Sequence, residues 1–297
     1  MASPISRTIA LAAFVVLAAV AALFFFLRER QAATGATGSV QVAGSETMRP
    51  VVSACAEEFM SRNPKADVIV KGGGSGDGVA AVLHGIADIG MASRDLSQRE
   101  RDYAASKGIE LSEFALARDG VTIIVNRASP IDALDLEQLQ AIFAGSIRNW
   151  RELGGEDLEI TAFARAAGSG TASLFGDRVL KDAAYAPSVT QLPTNEAIVA
   201  EVGARAGAIG YTSLGALRSA RNGVKSIALR VDEQLQAATP TAEQVRSQRY
   251  PLARTLHLIG PRRSTDTASA FVAFCLSPAG QSLVRKAGYV SITQDGE

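Results

Sequence analysis

Apolar and polar positions alternate between two rhythms along most of the chain. "SVQVAG" (39–44) and "ADVIVK" (66–71) read as short strands, and between them Val51, Cys55 and Phe59 form one helical stripe closed by Asn63-Pro64. A second helix, "GVAAVLHGI", carries Val79, Val82, Leu83 and Ile86 on one face. "ADIGMAS" predicts a third strand and "SQRERDYAASKG" a polar helix ending at Gly108. Beyond a strand at Val121 to Asn126, the order continues with helix "LDLEQLQAIFAG", strand "EITAFAR" and helix "SGTASLFGDRVLKDA". "NEAIVAEVGARAGAIGYTS" is a helix running into a strand, "VKSIALR" another strand, and a polar stretch follows to about Tyr250. The last segment, "TDTASAFVAFCLSPAGQSLVRKAGYV", predicts two helices broken at Ser277-Pro278. Strands alternating with helices imply βαβ units, right-handed crossovers and a mostly parallel sheet. The pattern predicts an α/β fold in two lobes.

The N-terminus has neither rhythm. Ile9 to Leu27 is an uncharged apolar run flanked by Arg7 and Arg28. It matches the lower length limit of a membrane-spanning helix, and an export signal is the other reading of residues 1–30. The run is longer than the usual signal core and ends in Phe-Phe-Phe-Leu, which favours an uncleaved anchor. Either way, the remainder is expected to be exported. Residues 31–39, "QAATGATGS", form a linker of small and polar residues.

Composition then narrows the chemistry. Thirty basic and thirty acidic residues give no net charge, which argues against a nucleic-acid partner. Two Cys and two His without ligand spacing predict no metal site, and no motif calls for a cofactor. Cys55 and Cys275 are either a disulfide, which export permits, or free thiols on apolar helix faces. His84 lies off its helix's apolar stripe and reads as solvated, and His257 in "ARTLHLIG" reads as a satisfied structural histidine. Neither Ser75 nor Ser169 sits in G-x-S-x-G, so a Ser/His hydrolase is disfavoured. Trp150 and Tyr211 read as packing anchors.

Three places share one local grammar of strand, small-residue loop with Ser or Thr, and helix start. They are Gly44-Ser45-Glu46-Thr47-Met48, Gly74-Ser75-Gly76-Asp77 and Gly168-Ser169-Gly170-Thr171. The unpaired N–H groups of a helix's first turn favour an anion, and hydroxyls add donors. Converging ends would enclose an oxyanion with fixed dipoles, while Arg165 could supply one full charge and a planar fork for two oxygens. Each loop alone also fits an ordinary capped βα connection.

These segments resemble the phosphate-binding proteins of high-affinity phosphate ABC transporters, the PstS family. "GSETMRP", "GGGSGDGV", "ADIGMASR", "DGVTIIVN", "LEQLQAIFAGSIRNW", "ARAAGSGTASLF", "GAIGYTS", "YPLARTL" and "LSPAGQSLVRKAGYV" occur in the family's order. The resemblance implies a two-lobed, Venus-flytrap periplasmic-binding-protein fold that holds one dehydrated phosphate and performs no catalysis. It implies an ABC permease as partner, and the protein is expected to be monomeric and tethered through its N-terminal segment. The family's phosphate contacts fall on Thr47, Met48, Ser75, Arg165, Ser169, Gly170 and Thr171. Lobe one is expected to span 40–118 plus 254–297, and lobe two 119–253. Where well-known members use an aspartate to accept the proton of hydrogen phosphate, this chain has Ser93. Asp119, Glu46 and Asp77 are the candidate replacements, in that order. Another tetrahedral oxyanion such as sulfate or molybdate, and an anchored phosphate sensor, are the alternatives.

Overall fold

The computed structural model describes residues 35–219, 223–230 and 238–293. The expected anchor or signal at 1–30 therefore lies outside the described residues. β1 (Gly38–Gly44), α1 (Arg49–Arg62), β2 (Ala66–Lys71), α2 (Ser75–Leu83), β3 (Ile89–Ala92) and α3 (Gln98–Ser106) follow one another as βα units. β1 pairs parallel with β2 and with β3. The chain then enters β4 (Leu111–Asn126), which belongs to both lobes.

The second lobe contains β5 (Ala133–Asp135), α4 (Leu136–Ala144), a 3₁₀ turn at Trp150–Leu153 and β6 (Thr161–Arg165). It continues through α5 (Gly170–Phe175), which runs into a π-helical turn at Gly176–Leu180, then β7 (Thr190–Leu192), α6 (Asn195–Ala204) and β8 (Ala208–Ser213). α7 (Leu214–Ser219), β9 (Val224–Arg230) and α8 (Ala242–Arg246) precede the return crossing. β10 (Ala253–Pro261), α9 (Asp266–Leu276), α10 (Pro278–Lys286) and β11 (Val290–Ser291) bring the chain back. The strand order is β2-β1-β3-β10-β4-β8-β6-β7, with β4 the shared member. The βαβ strands run parallel, whereas β10 is antiparallel to both β3 and β4, and β4 is antiparallel to β8. That mixture follows from a chain that leaves one lobe and comes back.

Each lobe has its own apolar core. One gathers Val40, Val42, Val51, Phe59, Phe271 and Cys275, and the other Ile123, Phe143, Phe175, Tyr211 and Ile227. Phe59 meets Phe271 edge-on, and Phe175 stacks flat on Tyr211 with centroids 4.1 Å apart. The helices start where the sequence supplies caps. Asp135 accepts from the Gln138 N–H at 2.7 Å, Gly145 closes α4 with φ at +83°, and Thr194 and Thr265 cap α6 and α9.

Several local expectations change. Ile86 lies past the end of α2 and is exposed, because Gly85 ends the helix with a positive φ. β4 begins ten residues earlier than the periodicity indicates: residues 111–120 pair with β10, β11 adds only Ala117 and Arg118, and the half-buried or exposed residues 111–115 show no apolar alternation to mark the strand. The polar stretch before Tyr250 contains α8, capped by Thr241. Cys55 and Cys275 are free and buried, and burial raises the Cys275 thiol well above its ordinary value. His257 is only half satisfied: its Nε2 meets Asp95 at 3.1 Å, while its buried Nδ1 has no partner.

Candidate functional site

The first loop leaves β1 at Gly44, where φ is +131° and an added Cβ would lie 2.4 Å from the Met91 carbonyl. Only glycine lets the ends of β1, β3 and α2 meet at backbone distance there. Ser45 N–H then donates to Met91 O, and Met48 N–H turns back onto Ser45 O at 3.0 Å. The Met48 N–H expected to face a ligand is therefore used by the turn. Thr47, by contrast, points inward and is buried. Glu46 accepts from the Gly73 N–H at 2.9 Å and pairs with Arg49, while Asp77 accepts from the Gly74 N–H at 2.9 Å. Two of the three candidate carboxylates thus hold the glycine loop in place.

That loop sets Ser75 at the start of α2 with no exposed surface. Ser75 Oγ accepts the Ser93 N–H at 3.0 Å and lies 3.2 Å from Ser93 Oγ. The third loop meets the second across the cleft. Gly76 N–H donates to Gly168 O at 3.3 Å, and a Cβ on Gly170 would lie 2.5 Å from both Ser75 Oγ and Ser93 Oγ. Ser169 Oγ accepts from the N–H groups of Thr171 and Ala172, capping α5. Thr171 Oγ1 sits 3.2 Å from Thr47 Oγ1. The structure therefore brings Thr47, Ser75, Ser93, Gly170 and Thr171 into one buried cluster at the lobe interface, with Ser169 capping its edge.

Two arginines enter this cluster. Arg165, at the end of β6, has 2% exposure. Its Nη1 donates to Asn195 Oδ1 at 2.6 Å and its Nη2 to Pro193 O at 2.7 Å, while Nε is buried without a partner. Its backbone N–H donates to the Tyr211 hydroxyl, so the stacked Phe175–Tyr211 pair fixes the strand end. Among the described residues no carboxylate lies within ion-pair distance of Arg165. Burial, with Arg254 nearby, pulls its guanidinium down from its ordinary value to about 10.

Arg254 was not among the predicted site residues. β10 pairs with β4 so that Arg254 lies opposite Asp119. Its Nε and Nη2 both donate to Asp119 Oδ2, at 2.9 and 2.7 Å, and its Nη1 donates to Thr171 Oγ1 at 2.9 Å and to Ser93 O at 3.2 Å. Asp119 Oδ1 accepts the Leu214 N–H at 3.1 Å. Burial pushes the Asp119 carboxyl upward against the pull of Arg254. One clue was available: Arg254, Leu256 and Leu258 share a strand face, so a charge stood at an inward register. Asn195 was also missed; its Nδ2 donates to Thr47 Oγ1 at 3.1 Å and so bridges Arg165 to the first loop. Tyr289 donates its hydroxyl to Thr47 O at 2.5 Å. Outside this cluster, the cleft opens into a cavity of about 840 Å³ bordered by Arg94, Asp95, Asp177, Arg178 and Arg254.

Chemically, the arrangement suits an anion held by hydroxyls and one uncompensated guanidinium. Neither histidine joins it: His84 is exposed and bonds Ala80 O, and His257 faces Asp95.

Two lobes sharing strands, with a polar cluster buried between them, define a solute-binding protein. Residues 31–279 match the model of the PBP superfamily domain. Of the curated relatives, the phosphate-binding protein PstS of Bacillus subtilis is 33% identical over 261 residues, covering 87% of this chain and 82% of that protein. PstS of Pseudomonas aeruginosa is 28% identical over 291 residues, covering 92% and 89%. Among solved structures, a putative phosphate ABC transporter substrate-binding protein with bound phosphate from Clostridium perfringens superposes with a TM-score of 0.76 at 29% identity, covering 86% of this chain and 100% of that one. An ABC-type phosphate transport receptor from Vibrio cholerae gives 0.69 at 29% identity, covering 84% and 99%. The chain belongs to the PBP superfamily and, within it, to the PstS family of phosphate-binding proteins.

Proposed function

We propose that the protein binds inorganic phosphate between its lobes outside the cytoplasm and delivers it to an ABC-type phosphate transporter, with no chemistry performed on the ligand. The observation that carries this is Arg165, a buried guanidinium joined to the Thr47 hydroxyl through Asn195 and, among the described residues, with no carboxylate in ion-pair reach. A buried charge without a counter-ion is costly, and an oxyanion relieves that cost. The family relatives named or titled for phosphate support the choice of ligand.

Thr47, Ser75, Ser93, Ser169 and Thr171 are the hydroxyl donors, and Arg165 is the charged one. Gly170 lets α5 start against Ser75 and Ser93, and Met48 fixes the first loop. Asp119 acts through Arg254, whose guanidinium it orients. Lobe one is 40–118 with 254–297, lobe two is 119–253, and the monomer is tethered to the membrane through the N-terminal segment.

The test is calorimetric titration of the full chain in detergent with phosphate, after any carried-over ligand has been removed by unfolding and refolding. Saturable one-to-one binding that Arg165→Ala abolishes is the expected result. Normal binding by that variant would move the site elsewhere.

A further inference from the structure

Phosphate binding leaves one buried pair of reactive groups unused, in the core of lobe one and outside the hydroxyl cluster. We propose that Cys55 and Cys275 are a modification site: in the exported protein they form an intramolecular disulfide that staples together the two separate stretches of chain from which lobe one is built. The inference rests on export and not on the identity of the ligand.

Helix spacing sets the geometry. Cys55 and Phe59 are four apart on α1, and Phe271 and Cys275 four apart on α9, so each pair lies on one face of its helix. All four side chains are buried in the same core. Phe59 meets Phe271 edge-on with ring centroids 5.4 Å apart. One turn earlier on α1 and one turn later on α9, Cys55 stands opposite Cys275, and the two thiols are in hydrogen-bond contact. The helices therefore pack antiparallel along this seam. Small side chains at facing positions let two helices approach toward the Cα separation of about 5.5–6 Å that a disulfide prefers. Cys275 is also held from its other side. Gln281 Nε2 donates to its carbonyl at 3.2 Å, and α10 packs so closely that a Cβ on Gly280 would lie 2.4 Å from the same oxygen.

The position of the pair in the chain gives the bond its effect. The core of lobe one combines Val40, Val51 and Phe59 with Leu256, Phe271 and Val284. The peptide chain joins those two groups only by the path through lobe two. A bond from Cys55 to Cys275 closes that long loop directly, which narrows the unfolded ensemble and holds the two stretches side by side.

The bond forms by thiol–disulfide exchange. One cysteine, as the thiolate, attacks a sulfur of a disulfide oxidant, either an oxidoreductase of the export compartment or a small disulfide, and one oxidant thiol leaves. The other cysteine then displaces the remaining oxidant sulfur from the mixed disulfide. The protein gains one S–S bond, the oxidant loses one, and the two thiol protons and two electrons depart with the oxidant as two thiols. In the folded chain neither cysteine is exposed, and burial beside the Cys55 thiol keeps Cys275 protonated. The exchange therefore takes place before lobe one closes over the pair, and the finished bond lies out of reach of soluble reductants.

The experiment takes the full chain from an exporting bacterial host, solubilised in detergent with iodoacetamide present from lysis onward. Alkylated thiols are counted by intact mass after unfolding in guanidinium chloride. None before reduction and two after it are expected, with a monomer on a non-reducing gel. Protein reduced in denaturant and refolded with reductant should melt about 5–15 °C below the oxidised form. Oxidised glutathione added to this folded, reduced protein should leave both thiols free, whereas present during refolding it should close the bond. Cys275→Ala should melt with the reduced form under oxidising and reducing conditions alike. Cys55→Ala serves the same purpose should that variant fail to fold, and the reduced and oxidised natural chains need neither.

Two alkylated thiols before reduction, or a disulfide-linked dimer, would overturn the inference. Equal melting temperatures in a protein whose mass shows the bond would overturn the stapling role.

Discussion

Two buried arginines enter the cluster between the lobes, and among the described residues only Arg254 has a carboxylate partner. Arg254 is locked to Asp119 by two hydrogen bonds at a register fixed by the β4–β10 ladder. Arg165 touches only neutral oxygens, those of Asn195 and Pro193, and keeps an unpartnered Nε. The two are equally arginine in sequence and comparably buried. What separates them is whether the fold supplies a carboxylate, and on the proposed function that difference assigns Arg254 to the scaffold and Arg165 to the ligand.

The comparison is tested hardest by removing each arginine in turn. Arg254→Ala leaves Asp119 buried and unpaired, and should destabilise the fold by about 3–5 kcal/mol in denaturant titrations. Arg165→Ala should cost a similar ~3–5 kcal/mol in phosphate affinity instead, with fold stability unchanged or improved, because an unpaired buried charge has gone. If both variants lost stability and kept affinity, the distinction would collapse. Phosphate at a hundredfold excess over Kd should raise the natural chain's unfolding free energy by about 2.7 kcal/mol and that of Arg165→Ala by far less, seen as a shift in Tm.

Gly170→Ala acts on the contact between the lobes. Its methyl group would need the space held by Ser75 Oγ and Ser93 Oγ, so closure should weaken by about 1–3 kcal/mol. Small-angle scattering with saturating phosphate should then show a larger radius of gyration than the natural chain gives. The smallest effect belongs to Tyr289→Phe, which removes the donor to Thr47 O and should lower phosphate affinity by about 1 kcal/mol by calorimetry. As for pH, burial has depressed Arg165 to about 10, so its charge is complete at neutral pH and phosphate affinity should fall as the pH rises through that value.

Local grammar carried much of the layout. Strand, small-residue loop and helix start recur at Thr47, Ser75 and Thr171 because close backbone approach demands glycine and helix starts favour hydroxyls, and both are written within a few neighbouring residues. Arg165 was legible for the same reason, standing at a strand end just before such a loop. Arg254 was not, because its meaning depends on a partner 135 positions away in the chain and on the register of an antiparallel pair. Its one local trace was a charge on the same strand face as Leu256 and Leu258. Asn195 gave no such trace: an asparagine opening a helix resembles any other polar start, and only the fold turns it toward Thr47 and Arg165. The extent of β4 was hidden for a related reason, since its first residues are held by pairing with β10, distant in sequence, and carry no apolar alternation of their own.

β4 is one unbroken strand of sixteen residues, hydrogen-bonded to β10 in its first part and to β8 in its last. Gly120 lies where the ladder passes from one lobe to the other, with a Cβ there coming within 3.1 Å of Val245. The joint is therefore a leaf spring, clamped at both ends and thinned at one point, where a slack hinge would have been a floppy loop. A joint of that kind passes the ladder's register directly from one lobe to the other, so a change of angle between them has to be taken up within the few β4 residues around Gly120.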